Sequence, residues 1–334
     1  MSAAATCLQI DGLHLALRGS RQQPAQLILR GIDLRIHAGE VHALVGESGA
    51  GKSMVSRTVL GMPPPGMAVL AGSVQFQGRD WLGLSDAQRR VHLGRDMALI
   101  PQDPLTALNP GHTIGAQLAD VMRLHLGLSP AQAAARTEEL LAAVQIRAPQ
   151  TVARQYPHQL SGGMRQRVLI AIAFACQPKL IIADEPTTAL DVTVQREVLR
   201  LLRALQRDHG VAVLFITHNL GLVAKLCDSV SVIHSGRIVE HGAVRQIIEA
   251  PQAPYTRALF AATPRYDRPA DALRPIADAV TDTLWAQAAA YDAAWWPANS
   301  ATGATTRATT SATTNATTNL ATGAAPATNG MQHG

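Results

Sequence analysis

The stretch GESGAGKS at residues 46–53 constrains the fold of this chain more than any other. It follows VHALV, an apolar segment typical of a buried strand, and leads into KSMVSRTVLGM, which has the pattern of a helix ended by PPPG. Glycines in such a turn let backbone N–H groups point at an anion, and the helix N-terminus adds positive charge. The segment therefore predicts a phosphate-binding loop on an α/β sheet. Its residues are Gly46, Glu47, Ser48, Gly49, Ala50, Gly51, Lys52 and Ser53.

Two side chains at the end of this loop have direct chemical roles in such a site. Lys52 is expected to bridge the β- and γ-phosphates, and the Ser53 hydroxyl to ligate Mg²⁺. A chance match to the pattern is the alternative interpretation. The predicted strand before the loop and the predicted helix after it argue against chance.

A second segment, KLIIADEP at 179–186, is predicted to be an apolar strand that ends in two carboxylates. Successive side chains of a strand point to opposite faces, so Asp184 and Glu185 should have different roles. Asp184 suits Mg²⁺ at a strand end beside the phosphate loop, and Glu185 would face the γ-phosphate and polarise the attacking water. A solvated acidic strand end is the alternative.

The rest of the chain alternates between patterns of strand and helix. Residues 8–60 contain short strands, and residues 161–250 have a strand–helix rhythm that predicts a mostly parallel sheet with helices on both sides. Residues 112–150 interrupt this core with a helical composition. There, Ser129 is the expected N-cap of a helix that starts at Pro130.

Composition restricts the class of protein. The 334 residues are 47% hydrophobic and 16% charged, with a formal net charge of +5, which suits phosphate ligands, nucleic acid or an anionic membrane surface. Three widely spaced cysteines argue against a disulfide framework. The N-terminus does not resemble a signal peptide, and no apolar run is long enough to span a bilayer.

The C-terminal region has a different character. The segment LWAQAAAYDAAWW predicts a short amphipathic helix whose Trp285, Trp295 and Trp296 either anchor at a partner or membrane, or pack on their own domain. Residues 298–334 are a low-complexity tract of Ala, Thr and Asn, and are predicted to be disordered because they hold too little apolar surface to offset their ordering entropy.

Four motifs together resemble the ATP-binding cassette (ABC) family. QLSGGMRQRV at 159–168 lies upstream of LIIADEP, with ALD at 189–191 and ITH at 216–218. The resemblance covers roughly residues 8–260. It implies a P-loop NTPase cassette with a RecA-like parallel-sheet core, an antiparallel β region and a helical subdomain at about 112–165. It also implies ATP and Mg²⁺ as ligands.

The resemblance assigns further site residues. In such cassettes the signature loop completes the nucleotide site of a second copy, so Ser161 and Gly163 would contact the γ-phosphate bound there, and Gly162 belongs to the same nucleotide-binding set. Asp191 would communicate across the dimer, and His218 would hold the γ-phosphate and the attacking water. Gln102 would reach Mg²⁺ and the water and sense the transmembrane partner. The expected catalytic set is Lys52, Gln102, Glu185 and His218, and the expected metal set is Ser53, Gln102 and Asp184.

Other segments narrow the resemblance to the ATPases of bacterial oligopeptide, dipeptide and nickel importers. They are PQDPLTALNP at 101–110, YPHQLSGGMRQRVLIAIAF at 156–174 and QAPYTRALFAATPRYDR at 252–268. This implies two permeases, a second ATPase subunit (identical or paralogous), a substrate-binding protein, a C-terminal extension at 261–297 and a peripheral place on the cytoplasmic face of the inner membrane.

The chain departs from this pattern in two places. Leu17 stands where many cassettes stack adenine on an aromatic residue, and no cysteine follows Cys227 where peptide-importer ATPases often carry a cluster. The alternative function is a non-transport cassette that acts on nucleic acid or ribosomes. No basic patch interleaved with aromatics supports it, so no nucleic-acid partner is expected.

Overall fold

Two sheets form the framework of the chain, whose computed structural model describes residues 5–19, 24–188, 190–262 and 276–300. The strands are β1 Thr6–Leu17, β2 Gln26–His37, β3 Val41–Val45, β4 Met67–Phe76, β5 Arg79–Asp80, β6 Met97–Ile100, β7 Leu180–Asp184, β8 Ala212–Thr217, β9 Ser229–His234 and β10 Arg237–Ala243.

The central sheet has the strand order β10-β9-β3-β8-β7-β6. Neighbours from β9 to β6 pair in parallel, and β10 pairs antiparallel with β9 at one edge. Strands β3 and β8 are buried along their whole length, as expected for a sheet covered on both faces. The second sheet, β2-β1-β4-β5, is antiparallel. The predicted α/β core with an antiparallel region is confirmed.

Helices cover the sheets and fill the connections between their strands. They are α1 Lys52–Val59, α2 Asp86–His92, α3 Pro104–Ala107, α4 Ile114–Leu126, α5 Pro130–Ala143, α6 Pro149–Ala153, α7 Gly162–Phe174, α8 Val192–His209, α9 Leu220–Leu226, α10 Val244–Glu249, α11 Pro254–Ala262 and α12 Asp278–Ser300, with a short 3-10 helix at Pro157–Gln159. None of the helices in the described ranges is long and apolar enough to cross a membrane.

Helices α4, α5 and α6 occupy the stretch for which the sequence predicts a helical insertion. They pack through buried side chains such as Leu118 and Leu141 against the hydrophobic cluster that includes α7 and α8. Helix α5 begins as predicted. The Ser129 hydroxyl accepts a hydrogen bond from the Gln132 N–H at 3.3 Å, and the Gln132 side chain accepts one from the Ser129 N–H at 2.9 Å. This capping box stabilises the first turn.

Helix α12 packs on its own cassette, which was one of the two alternatives for the tryptophan segment. Its Tyr291 hydroxyl lies 2.6 Å from His14 Nε2 on β1. The Trp295 ring stacks on the His14 ring, with 5.0 Å between the ring centroids. Asp292 accepts two hydrogen bonds from Arg30 on β2, at 2.6 and 2.8 Å. Trp285 remains 59% exposed. The prediction of a disordered tract from residue 298 begins it too early, because residues 298–300 belong to α12; from residue 301 onward the tract lies outside the described residues.

Candidate functional site

The predicted phosphate-binding loop joins β3 to α1. Gly46 is required by close packing, because a Cβ there would lie 2.2 Å from the Ile233 carbonyl oxygen of β9. Gly51, immediately before α1, has a φ of 108° that L side chains rarely adopt. Glycine at both positions therefore follows from the backbone, and it keeps the loop free of side chains where a phosphate would approach.

The Lys52 side chain is folded back into the loop and is only 6% exposed. Its Nζ donates hydrogen bonds to the Gly46 and Glu47 carbonyl oxygens, both at 2.8 Å. Burial lowers the pKa of Lys52, while the charges of Glu185, Asp184 and Glu47 oppose this shift. The lysine is therefore already placed beside the loop backbone that surrounds the predicted phosphate position.

Asp184 is the last residue of β7, and it faces the start of α1. Its carboxylate lies near the Ser53 side chain, which favours the charged form of Asp184. Burial, followed by the neighbouring Glu185 charge, raises the pKa of Asp184, while Lys52, Arg57 and the nearby Ser53 side chain oppose the shift. Two of the three side chains predicted as metal ligands, Ser53 and Asp184, thus lie close together, whereas the third, Gln102, contacts Glu185.

The predicted strand through Glu185 is one residue too long. Strand β7 ends at Asp184, and Glu185 has a φ of 45°, in the left-handed region. Strand alternation therefore does not separate the two carboxylates. Instead, the two carboxylates are separated because the backbone turns at Glu185. The Glu185 N–H donates a 2.9 Å hydrogen bond to the Ile216 carbonyl of β8.

Three side chains surround the Glu185 carboxylate. Gln102 Nε2 donates to Glu185 Oε2 at 3.2 Å, and the Thr188 hydroxyl donates to the same oxygen at 3.1 Å. His218 Nδ1 lies 3.2 Å from Oε1. The Glu185 side chain is 16% exposed, so it is held in place yet open to solvent on one side. This geometry suits a group that orients a water molecule.

The sheet topology explains why these distant residues meet. Gln102 follows β6, Glu185 follows β7, His218 follows β8 and the phosphate loop follows β3. These strands are parallel neighbours in the order β3-β8-β7-β6, so their carboxyl ends share one edge. Ligand sites of α/β sheets form at such edges.

The signature loop occupies a different place. Ser161 is the N-cap of α7, and its hydroxyl accepts a hydrogen bond from the Met164 N–H at 3.3 Å. Asp191 caps α8 through the Thr193 and Val194 N–H groups, at 3.1 and 3.0 Å. Among the described residues, no hydrogen bond joins positions 161–163 to the loop at 46–53.

The two glycines of the signature loop have different surroundings. A Cβ on Gly163 would lie 2.6 Å from Val194 Cγ1 of α8, whereas one on Gly162 would meet only Leu190 Cδ2, at 3.7 Å. Close packing between α7 and α8 therefore accounts for Gly163. Only Gly162 lacks an explanation within the chain.

Two residues of the site were missed in the sequence analysis. Thr188 lies three residues after Glu185 in a turn, and its hydroxyl contacts Glu185. The only local sign of this contact in the sequence was a hydroxyl residue at that spacing. Tyr255 of α11 reaches Glu47 of the phosphate loop from 208 residues away. The only sign of this contact in the sequence was that aromatic residues are rare in this chain, at 4%.

The residues present fit Mg²⁺. Within the described ranges, no group of three or more His, Cys, Asp or Glu side chains could hold a metal by itself. Ser53 and Asp184 instead offer a hydroxyl and a carboxylate close to each other beside the phosphate loop. Mg²⁺ is commonly held by one or two protein oxygens together with phosphate oxygens and water.

Comparisons with known proteins agree with these motifs. The family model described as ABC transporter matches residues 29–188, and the model for the C-terminal region of oligopeptide/dipeptide transporters matches residues 239–288. The chain is 50% identical over 240 residues to the peptidoglycan transport ATP-binding protein YejF of Agrobacterium fabrum, covering 71% of this chain and 44% of that protein. It is 44% identical over 272 residues to the dipeptide transport ATP-binding protein DppD of Bacillus subtilis, covering 80% of each.

Solved structures show the same fold. The chain superposes with a TM-score of 0.63 on a dimeric, post-hydrolysis form of the ATP-binding cassette MJ0796 bound to ADP and Pi. The match is 23% identical and covers 71% of this chain and 99% of that one. The chain thus spans less than half of YejF but four fifths of DppD, and both family models lie within it. It belongs to the family of ATP-binding proteins of ABC transporters.

Proposed function

We propose that this chain is the ATP-hydrolysing subunit of an importer for dipeptides or oligopeptides. The observation that carries the proposal is the Glu185 carboxylate, held by Gln102, Thr188 and His218 at the sheet edge where the phosphate loop begins α1. The relatives reported above are named for peptidoglycan and dipeptide transport. They favour a peptide cargo over the nickel alternative, and transport over action on nucleic acid or ribosomes.

The chemistry follows from the positions of the side chains. ATP phosphates would bind the backbone N–H groups of residues 46–53, and Lys52 would turn from the Gly46 and Glu47 carbonyls towards them. Glu185 would accept a proton from the attacking water, with Gln102 and His218 fixing its orientation. Mg²⁺, held by Ser53, Asp184 and Gln102, would neutralise charge on the phosphate oxygens. Catalysis is therefore mainly positioning.

The partners are part of the same proposal. A second cassette would supply its own signature loop to this phosphate loop, because no hydrogen bond among the described residues joins positions 161–163 of this chain to it. Asp191, which caps the adjacent α8, would communicate with that subunit. Two permeases would hold the pair at the inner face of the membrane, and a binding protein would deliver the peptide.

The Glu185→Gln variant tests the catalytic assignment. Because the variant keeps the shape but removes the base, we expect ATP hydrolysis by the assembled transporter to fall by about 100-fold or more, with ATP binding retained. Glu139→Gln is the matched control, since Glu139 is an exposed residue of α5 paired with Arg136. Hydrolysis by the Glu185→Gln transporter at the wild-type rate would refute the role of Glu185.

Uptake assays test the cargo. Cells that lack this chain should lose uptake of labelled dipeptides and oligopeptides, and the wild-type chain but not Glu185→Gln should restore it. Unchanged peptide uptake together with lost nickel uptake would contradict the peptide proposal and favour the nickel importer.

A further inference from the structure

A buried tyrosine from the C-terminal part of the chain contacts the phosphate loop. Tyr255, the second residue of α11, is 1% exposed. Its hydroxyl accepts a hydrogen bond from the Glu47 backbone N–H at 3.4 Å and donates one to Glu47 Oε2 at 3.3 Å. One hydroxyl therefore holds both the backbone and the carboxylate of a phosphate-loop residue.

The surrounding aromatic rings fix the position of Tyr255. Its ring packs edge-on against the ring of His234 on β9, with 4.6 Å between the ring centroids. The His234 ring packs in turn against Trp285 of α12, with 5.7 Å between the centroids. Tyr255 also belongs to the hydrophobic cluster that contains Ala43 and Val45 of β3. Burial, followed by the charge of Glu47, raises the pKa of the Tyr255 hydroxyl, so it remains a protonated donor at neutral pH. The contact with Glu47 thus comes from a rigid element.

Glu47 places a carboxylate in the loop that would bind the triphosphate. Its backbone carbonyl accepts a hydrogen bond from Lys52 Nζ, and its carboxylate is one of the charges that act on Lys52. A carboxylate that turned freely at this position would compete with the phosphates for Lys52 and repel them. Restraint of the Glu47 side chain would therefore favour nucleotide binding.

We infer that Tyr255 is a positioning residue of the nucleotide site, which holds the Glu47 carboxylate away from the incoming phosphates. The inference rests on the proposed function, since it concerns the same ATP site. It also gives the C-terminal part of the chain a direct role in nucleotide affinity, because α12 supports the ring of His234 against which Tyr255 packs.

The test compares ATP and ADP affinities of the purified full chain in four forms: wild type, Tyr255→Phe, Glu47→Gln and the double variant. Tyr255→Phe keeps the ring but frees the carboxylate. It should weaken ATP binding by about threefold to tenfold, as expected for one hydrogen bond to a partly exposed charged group. ADP, with less phosphate charge, should be affected less, and the rate at saturating ATP should change little.

Rescue by charge removal separates this role from simple packing. In the Glu47→Gln background no carboxylate remains to be restrained, so Tyr255→Phe should leave ATP affinity within about twofold. Tyr156→Phe is the control, since Tyr156 is 39% exposed and its ring stacks on His158, outside the phosphate loop and α12. Equal losses in both Glu47 backgrounds, or no loss in Tyr255→Phe, would overturn the inference. Failure of the wild-type chain to bind ATP would instead overturn the proposed function itself.

Discussion

Gly236 lies in the turn between β9 and β10, where one residue links three segments of the site. Its N–H donates to the Ala50 carbonyl of the phosphate loop at 2.9 Å, and its carbonyl accepts from the Arg30 N–H at 2.8 Å. It has a φ of 71°, and a Cβ there would lie 1.9 Å from the Ile28 carbonyl oxygen. The absence of a side chain thus lets β2, the turn and the phosphate loop join through their backbones.

The energetic importance of this close backbone packing can be tested by replacing Gly236 with alanine. Gly210, the C-cap of α8, has a similar φ of 62°, but a Cβ there would have no atom within 4 Å. Gly210→Ala should lower the free energy of unfolding by about 1 kcal/mol through backbone strain. Gly236→Ala should lower it by about 3 kcal/mol or more, because the clash adds to the strain, and should also weaken ATP binding. Denaturant unfolding of both variants checks this, and equal losses would contradict it.

Among the elements, α12 is joined to the cassette by polar contacts as well as by its rings. Arg30 is 8% exposed and donates to both oxygens of Asp292, while its remaining nitrogen donates to the Ser235 carbonyl at 2.8 Å. The Arg237 guanidinium lies 4.9 Å above the Tyr291 ring. These contacts connect α12 to the same β9–β10 turn that contacts the phosphate loop.

Loss of the Asp292 carboxylate should loosen the helix. Asp292→Ala leaves the buried Arg30 charge without its carboxylate, so we expect a loss of about 2 kcal/mol in the free energy of unfolding. Amide hydrogen exchange across residues 278–300 should become faster. Glu249→Ala removes an exposed partner of Arg245 and should cost less than about 0.5 kcal/mol. Unchanged exchange in α12 of Asp292→Ala would show that this ion pair does not hold the helix.

Across the molecule as a whole, the phosphate loop and Glu185 lie at one edge of the central sheet, whereas the signature residues begin helix α7. Gly162 begins α7, and a Cβ on it would meet no atom outside that helix closer than 3.7 Å, so the space in front of it is open. The proposed site shared between two cassettes would account for a glycine at this helix N-terminus.

Gly162→Asp tests this explanation in the assembled transporter. A carboxylate in the first turn of a helix is favourable, so the stability of the chain and its own ATP binding should be unchanged. Hydrolysis by the transporter should fall by about 100-fold, since the new charge would face the phosphate of the partner's ATP. Ala131→Asp, in the exposed first turn of α5, is the matched control. Wild-type hydrolysis by the Gly162→Asp transporter would refute the shared site.

Much of this protein follows from its sequence alone, because the signals involved are local. A buried strand, a glycine turn and a helix identify the phosphate loop at 46–53, and the strand–helix rhythm identifies a parallel sheet. Parallel strands place their carboxyl ends at one edge, so the positions of Asp184, Glu185 and His218 along the chain are enough to assign them to the same site.

The tertiary structure decided what depends on contacts between distant segments. The left-handed φ of Glu185 follows from its hydrogen bond to β8, and the space at Gly163 is taken by Val194 of another helix. The position of α12 rests on pairs such as His14 and Tyr291, which are 277 residues apart. Tyr255 reaches the phosphate loop in the same way. Local periodicity does not predict such pairs, because they depend on how distant elements pack together. The sequence of either segment alone does not determine that packing.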